Sequence, residues 1–188
     1  MRYEQLEVTL EGLTPTLMHN GQLADPLNKW TKAIKEISGK RKKTDADHAE
    51  LARLEWFGSL YLNDDGRPAW PGENIEALLI AAAKKRKEGP QAKTGILCDG
   101  SFPIVYSGPS DAEKLWQDEN FRLTARVGIQ RASVMRTRPI FRDWSLHLVI
   151  NFLPDVVNEK TVREWCDIGG QLVGLSDWRP KYGRYSVK

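Results

Sequence analysis

The sequence predicts an α+β domain of the β-α-β-β-α-β, ferredoxin-like (RRM-like) order, with a helical insertion after its first strand. Three observations carry this. Leu6, Val8 and Leu10 alternate with Glu7, Thr9 and Glu11, the pattern of a half-buried strand near the start of the chain. Residues 144–152, WSLHLVINF, alternate again and give the clearest strand of the chain. Each strand is followed, directly or after an insertion, by a segment with apolar residues at helical spacing: Ile75, Leu78, Leu79 and Ala82 in one, Val162, Trp165 and Ile168 in the other.

The elements follow in order. The first strand ends at Gly12 and runs into a loop with two prolines, TPTLMHNGQLADP. Residues 27–38 read as a short helix, followed by four consecutive cations, Lys40 to Lys43. Thr44-Asp45-Ala46-Asp47 is a helix start, because it puts acids at the positive end of the helix dipole. That helix carries Leu51, Leu54 and Phe57 and stops at the turn cluster Asn63-Asp64-Asp65-Gly66. Trp70-Pro71-Gly72 opens the helix 73–87, and Lys84 to Lys87 sit at its C-terminal end. Residues 95–106 read as one or two strands broken at Asp99-Gly100. Residues 121–142 read as a strand followed by an extended arm, and either 95–106 or 121–129 fills the second strand position. After the strand 143–152, Pro154 ends it, Asn158 caps the helix 158–173, and residues 182–187 form a last strand. The helices are expected on one face of a four-stranded sheet, which leaves the other face open. Open sheets of this kind serve several RNA-binding modules.

The 188 residues fit one domain, 1–188, with 13–70 as an insertion of loop and helices and 107–142 as a second insertion or arginine-rich arm. Composition removes several function classes. No apolar run approaches the ~20 residues of a membrane span, so no membrane role is expected. Cys98 and Cys166 cannot build a disulfide framework, and with three scattered histidines they match no zinc spacing. They are expected as reduced core thiols of a cytoplasmic protein. There is no phosphate-binding Gly-rich loop, dinucleotide fingerprint or nucleophile elbow, so no cofactor and no metal are expected.

The net charge of +3 is small, but its distribution is uneven. Over residues 121–144, six arginines (122, 126, 131, 136, 138 and 142) face one acid, Asp143. The planar guanidinium suits phosphate and stacks on bases. Arg136 and Arg138 are two apart and share a strand face. Two readings stand: a phosphate-binding surface, or a face that ion-pairs with the acidic helices 45–55 and 111–119. In residues 174–188, Arg179, Lys181, Arg184 and Lys188 outnumber Asp177 and interleave with Trp178, Tyr182 and Tyr185. Cations hold phosphates while aromatics stack bases. The competing reading makes these aromatics core residues of a closing strand. His19, beside Asn20 and Gly21, is the one candidate for acid/base chemistry, with no second catalytic residue apparent. His147 is expected to face away from the core, and His48 to lie on the surface.

Three features coincide with a known family. Pro71-Gly72-Glu73-Asn74-Ile75 resembles the "Pro-Gly-Ser-Ser-(Leu/Ile)-Lys-Gly" helix start of the RAMP superfamily, the ferredoxin-like backbone and processing subunits of CRISPR effector complexes. Thr14-Pro15-Thr16-Leu17 resembles that superfamily's exit from its first strand, and Gly174 to Arg184 matches the place of its basic, glycine-bearing end. Glu73, Glu76 and Ala77 depart from the family's Ser, Lys and Gly. Over nearly its whole length the sequence is also similar to small proteins of tailed phages and prophages, through MRTRPIF and DWRPxYGRY. The resemblance implies a homo-oligomer stacked head to tail along a single strand of RNA or DNA, as a filament or ring, with residues 22–62 and 107–142 wrapping it. It also implies a phage-encoded protein of the bacterial cytoplasm. The expected contacts are His19, Asn20, Lys42, Lys43, Arg126, Arg131, Arg136, Arg138, Trp178, Arg179, Lys181 and Arg184, without catalysis. The rivals are a metal-independent endoribonuclease of the CRISPR RNA-processing type, with His19 as base, and a phage protein-interaction module acting as inhibitor or assembly factor.

Overall fold

The alternating residues of Glu4–Gly12 (β1) form a strand whose even-numbered side chains, Leu6, Val8 and Leu10, are buried. In the computed structural model, which describes residues 2–129 and 132–188, the elements after it are Thr16–Leu17 (β2), Lys29–Ser38 (α1), Asp45–Ser59 (α2), Ala69–Pro71 (β3), Gly72–Lys84 (α3), Gly89–Gly95 (α4), Ile96–Leu97 (β4) and Ser101–Val105 (β5). Ala112–Gln117 (α5), Arg122–Ile129 (β6), Ala132–Phe141 (β7), Ser145–Phe152 (β8), Glu159–Ile168 (α6) and Tyr185–Val187 (β9) complete the order.

The strands form two antiparallel sheets. The main one runs β3-β5-β8-β1-β9, with β4 beside β5 on the same edge of β8. Its centre is the β1–β8 ladder, from Glu4 opposite Phe152 to Glu11 opposite Ser145. The chain leaves β1, passes through α3 and returns as β5, one strand away across β8. It leaves β8, passes through α6 and returns as β9, one strand away across β1. Both helices bury one face of this sheet. Leu148, Ile150 and Phe152 of β8 join Ile75, Leu78, Leu79 and Ala82 of α3 and Val162, Trp165 and Cys166 of α6 in a single core. Burial of that apolar area drives the packing. Gly72 lets α3 start against the sheet: a Cβ there would lie 1.7 Å from the Cys98 carbonyl oxygen.

The opposite sheet face is open and not basic. Glu7, Thr9, Glu11, His147 and Asn151 point there; His147 Nε2 lies 3.7 Å from Glu7, and Lys188 pairs with Glu11. His147 thus faces away from the core, as its register requires.

The second sheet, β2-β7-β6, lies in the segments expected as insertions. Residues 121–142 are not a strand and an arm but a hairpin, paired from Arg122–Pro139 to Ile129–Ala132. Residues 101–105, not 121–129, occupy the second strand position of the main sheet. Thr16–Leu17, expected as loop, pairs with Phe141 and Ile140 and ties the hairpin to the body. The insertion 13–70 therefore holds two strands besides its helices, because Ala69–Pro71 joins the main sheet through β5. The helix expected over 73–87 ends at Lys84 and a short one follows it; that expected over 158–173 passes into a π-turn at Gly169–Val173.

Helix α2 starts at a complete capping box: Asp47 N–H donates to Thr44 Oγ1 and the Asp47 carboxylate accepts from Thr44 N–H. Four of the seven tryptophans (56, 70, 144 and 165) are buried. Cys98 and Cys166 are buried and free, and burial pushes both thiols up to about 12. Among the described residues no helix is long and apolar enough to cross a membrane.

Candidate functional site

His19 is positioned by a strand held from both sides. On one side β2 pairs with β7, and the register continues as Met18 N–H donates to Pro139 O at 3.1 Å. On the other side the C-terminal segment clamps it. Asp177 N–H donates to Leu17 O at 2.8 Å, Leu17 N–H to Ser176 Oγ at 2.8 Å, and Gly183 N–H to Pro15 O at 2.8 Å. Gly183 has φ +76° and sits where a Cβ would meet Leu175 O at 2.3 Å, so only glycine allows this approach.

Beyond Met18 the chain emerges at the surface. Asn20 does not line the groove. It anchors the turn: its N–H donates to Ser59 O (3.0 Å), its Nδ2 donates to Leu60 O (3.1 Å), and its Oδ1 accepts from Gln22 N–H (3.0 Å). His19 is left solvent-accessible between two clefts. One, of about 420 Å³, is lined by Leu23, Ile34, Lys35, Glu55, Arg136 and Arg138. The other, of about 300 Å³, lies between the N-terminus of α3 (Glu73, Asn74) and the segment Leu175–Arg179. A third, of about 670 Å³, shares Ile34, Glu55 and Arg136 with the first and runs along β7 past Met135 to Ser133, with Lys43 and Leu51 on its other wall. The three clefts adjoin through shared wall residues, with His19 common to the first two, and together make up a groove.

The arginines of β7 are mostly engaged. Arg138 is 7% exposed; its Nε donates to Asp177 Oδ2 at 3.2 Å and its Nη1 to Ser59 Oγ at 3.3 Å. Arg136 pairs with the buried Glu55, whose second oxygen accepts Thr137 N–H at 3.1 Å. Arg122 pairs with Glu119 at 3.3 Å and lies over the Trp116 ring. The reading of an ion-paired arginine face therefore holds for Arg122, Arg136 and Arg138, and Arg138 cannot meet a phosphate while it is buried on these partners. Partial burial, then Arg138 and Arg136, hold the His19 ring below its ordinary pKa, against the opposing pull of Asp177 and Glu55.

Other expected contacts are dispersed. Arg126 is exposed on β6 opposite Met135, Lys42 is exposed before α2, and Lys43 donates to Lys40 O at 3.0 Å while lining the groove. Arg179 is exposed in the His19 cleft. Lys181 lies over the Tyr182 ring and Arg184 donates to Pro180 O at 3.0 Å, both exposed. Trp178 is half-buried against Tyr182, while Tyr185 is a core residue. Arg131 lies outside the described residues. The groove brings together His19, Lys43, Arg136, Arg138 and Arg179, but not Lys42, Lys181 or Arg184.

Sequence reasoning missed Glu55, Ser59, Asp177 and Lys35. Glu55 had a signal: an acid inside the apolar run LEWFGSLYL is buried with its neighbours and needs a cationic partner. Ser59 and Asp177 had none, because their partner Arg138 is distant in sequence. Among the described residues no group of three or more His, Cys, Asp or Glu side chains is placed to hold a metal ion. Searches against protein-family models and curated proteins find no match to this chain.

Proposed function

We propose that this protein binds a single-stranded nucleic acid along the groove that passes His19, without chemistry, and that several copies assemble along one strand. The observation that carries the reading is the succession of three clefts linked by shared wall residues: Lys43, Lys35 and Arg179 lie on their walls, and of the acids there Glu55 and Asp177 are paired with Arg136 and Arg138, which leaves Glu73 exposed. An elongated cationic path suits a flexible phosphodiester chain better than a compact ligand. Met135, 60% exposed on the hairpin, offers an apolar surface for a base. We assign the main sheet to the ferredoxin-like order, supported by β5-β8-β1-β9 and the two interleaved crossovers. The order of elements and the Pro-Gly helix start favour the RAMP-type backbone subunit as its relative, in a phage setting. The open sheet face carries Glu7 and Glu11, so binding belongs to the groove and not to that face.

The test is fluorescence anisotropy with labelled single-stranded RNA and DNA, alongside light scattering with and without the strand. Affinity should fall about fiftyfold between about 50 and 200 mM salt if about four phosphates are neutralised, and the particle should grow with strand length. Lys35→Glu with Arg179→Glu should abolish binding. No binding to either polymer, with a stable protein partner instead, overturns the reading in favour of an interaction module. Cleavage of the RNA by the parent protein but not by His19→Ala overturns it in favour of the nuclease.

A further inference from the structure

Ser59 closes α2 with its hydroxyl between two partners. Arg138 Nη1 donates to Ser59 Oγ at 3.3 Å, and His19 Nδ1 lies 3.5 Å from the same oxygen. A guanidinium can only donate, so one lone pair of Ser59 Oγ is taken and the hydroxyl proton needs an acceptor. Among its described partners that acceptor is His19 Nδ1. A neutral imidazole that accepts at Nδ1 carries its proton on Nε2. Arg138 is itself fixed, with Nε on Asp177 Oδ2 at 3.2 Å and Nη1 also near Thr137 O at 3.4 Å. Asp177 is held by its own N–H on Leu17 O. A row of hydrogen bonds thus runs from the C-terminal segment through β7 and α2 to the imidazole.

We propose that this row fixes His19 as a neutral Nε2–H donor for a phosphodiester oxygen of the bound strand, with Ser59 and Arg138 as positioning residues. The proposal rests on the nucleic-acid reading above and adds which atom of His19 does the holding. The charged groups facing the ring are Arg136 and Arg138 from β7, Glu55 from α2, Lys35 from α1, Glu73 from α3, and Asp177 and Arg179 from the C-terminal segment. Partial burial and the two β7 arginines oppose its protonation, against Asp177 and Glu55, which favours the neutral form that the Ser59 contact requires. A ring used this way is no general base. Its Nδ1 lone pair is engaged with Ser59, and its Nε2 carries a proton.

Two variants separate the ring atoms: glutamine places an amide N–H near the Nε2 position, asparagine near Nδ1. His19→Gln should keep the affinity for a labelled single-stranded oligonucleotide within about threefold, while His19→Asn and Ser59→Ala should lose about tenfold. Independently of any ligand, ¹⁵N correlation spectra of the free protein at pH 7.5 should show His19 with Nε2 protonated and Nδ1 bare. Ser59→Ala should convert that signal to a tautomer mixture, with circular dichroism confirming the fold. A protonated Nδ1 in the parent overturns the inference whether or not the strand binds, as does an equal loss in the Gln and Asn variants. The expected tautomer in a protein that binds no oligonucleotide overturns the nucleic-acid reading and its occupant together, while leaving the hydrogen-bond row intact. A His19 resonance that moves with inorganic phosphate but not with the oligonucleotide reassigns the occupant to free phosphate.

Discussion

The two sheets of this molecule are held by different forces. The main sheet is an apolar structure: β1 and β8 alternate cleanly, and the core-facing side chains of their central ladder share one core with α3 and α6. The smaller sheet is anchored at one end by the buried Leu17, Ile140 and Phe141, and along the rest of β7 it is secured through charge. Where β7 extends past its short pairing with β2, its edge is closed by a side chain, Glu55, which accepts both Thr137 N–H and Arg136. A free strand edge invites unwanted pairing, and this carboxylate occupies it. The contrast teaches where function has room. Apolar burial tolerates little change of residue type, whereas a polar frame can redirect a cation toward a ligand.

The sharpest way to test that contrast is to damage each sheet in its own currency. Leu148→Ala removes fully buried side-chain volume from the main sheet and should cost about 3 kcal/mol in urea unfolding. An equal loss from Val127→Ala on the hairpin would break the comparison, because Val127 is only half-buried. Next in size is Glu55→Ala, which leaves Thr137 N–H and Arg136 without their acceptor. It should cost about 2 kcal/mol, with Glu55→Gln recovering part of it. If Glu55→Ala is silent, the hairpin does not depend on its ion pairs. Thr44→Ala removes the cap of α2, which carries Glu55 and Ser59, and should cost about 1 kcal/mol in the same assay.

The smallest effect is a pH dependence at the same cap. Lys40 first, and then the Thr44 N–H, hold the Asp47 carboxyl at about 2 against an ordinary 3.8. A depressed acid stabilises the fold fully above its unfolded pKa and loses that contribution as pH falls through the folded one. The cap should therefore stay intact above pH about 4 and fray as pH drops toward about 2. A carboxyl ¹³C titration of Asp47 reads this directly, and Lys40→Ala should move the midpoint upward. An Asp47 midpoint near 3.8 in the parent would remove the Lys40 contact from the account.

How much of this was legible follows from the same contrast. Period-two and helical patterns report burial, so β1, β8, α3 and α6 could be read from Leu6 to Trp165 without contacts. Thr44 and Asn158 announced their helices because caps are local, and both side chains cap as expected. The hairpin was half-legible: Arg122 to Arg142 read as extended, but arginines at alternate positions do not say whether acids or a ligand will meet them. Three of them meet Glu55, Asp177 and Glu119, which lie up to 81 residues away. The two-residue strand Thr16–Leu17 was invisible, since its pairing is decided by chain that arrives much later. His19 could be picked out as a loop histidine; that Ser59 and Arg138 orient it could not.

That late arrival sets a clock. Thr16 Oγ1 donates to Leu175 O, 159 residues further along the chain. At ribosomal speeds of about 5–20 residues per second, the clamp on β2 follows β2 by roughly 8–32 s. During that interval the hairpin is made with neither Asp177 to receive Arg138 nor Ser176 to hold Leu17. The main ladder of β1 and β8 completes some 25 residues sooner, by the sequence positions of Phe152 and Asp177. A nascent chain therefore owns the β1–β8 ladder before it owns a groove, and the clamp on β2 closes only after synthesis has passed Gly183.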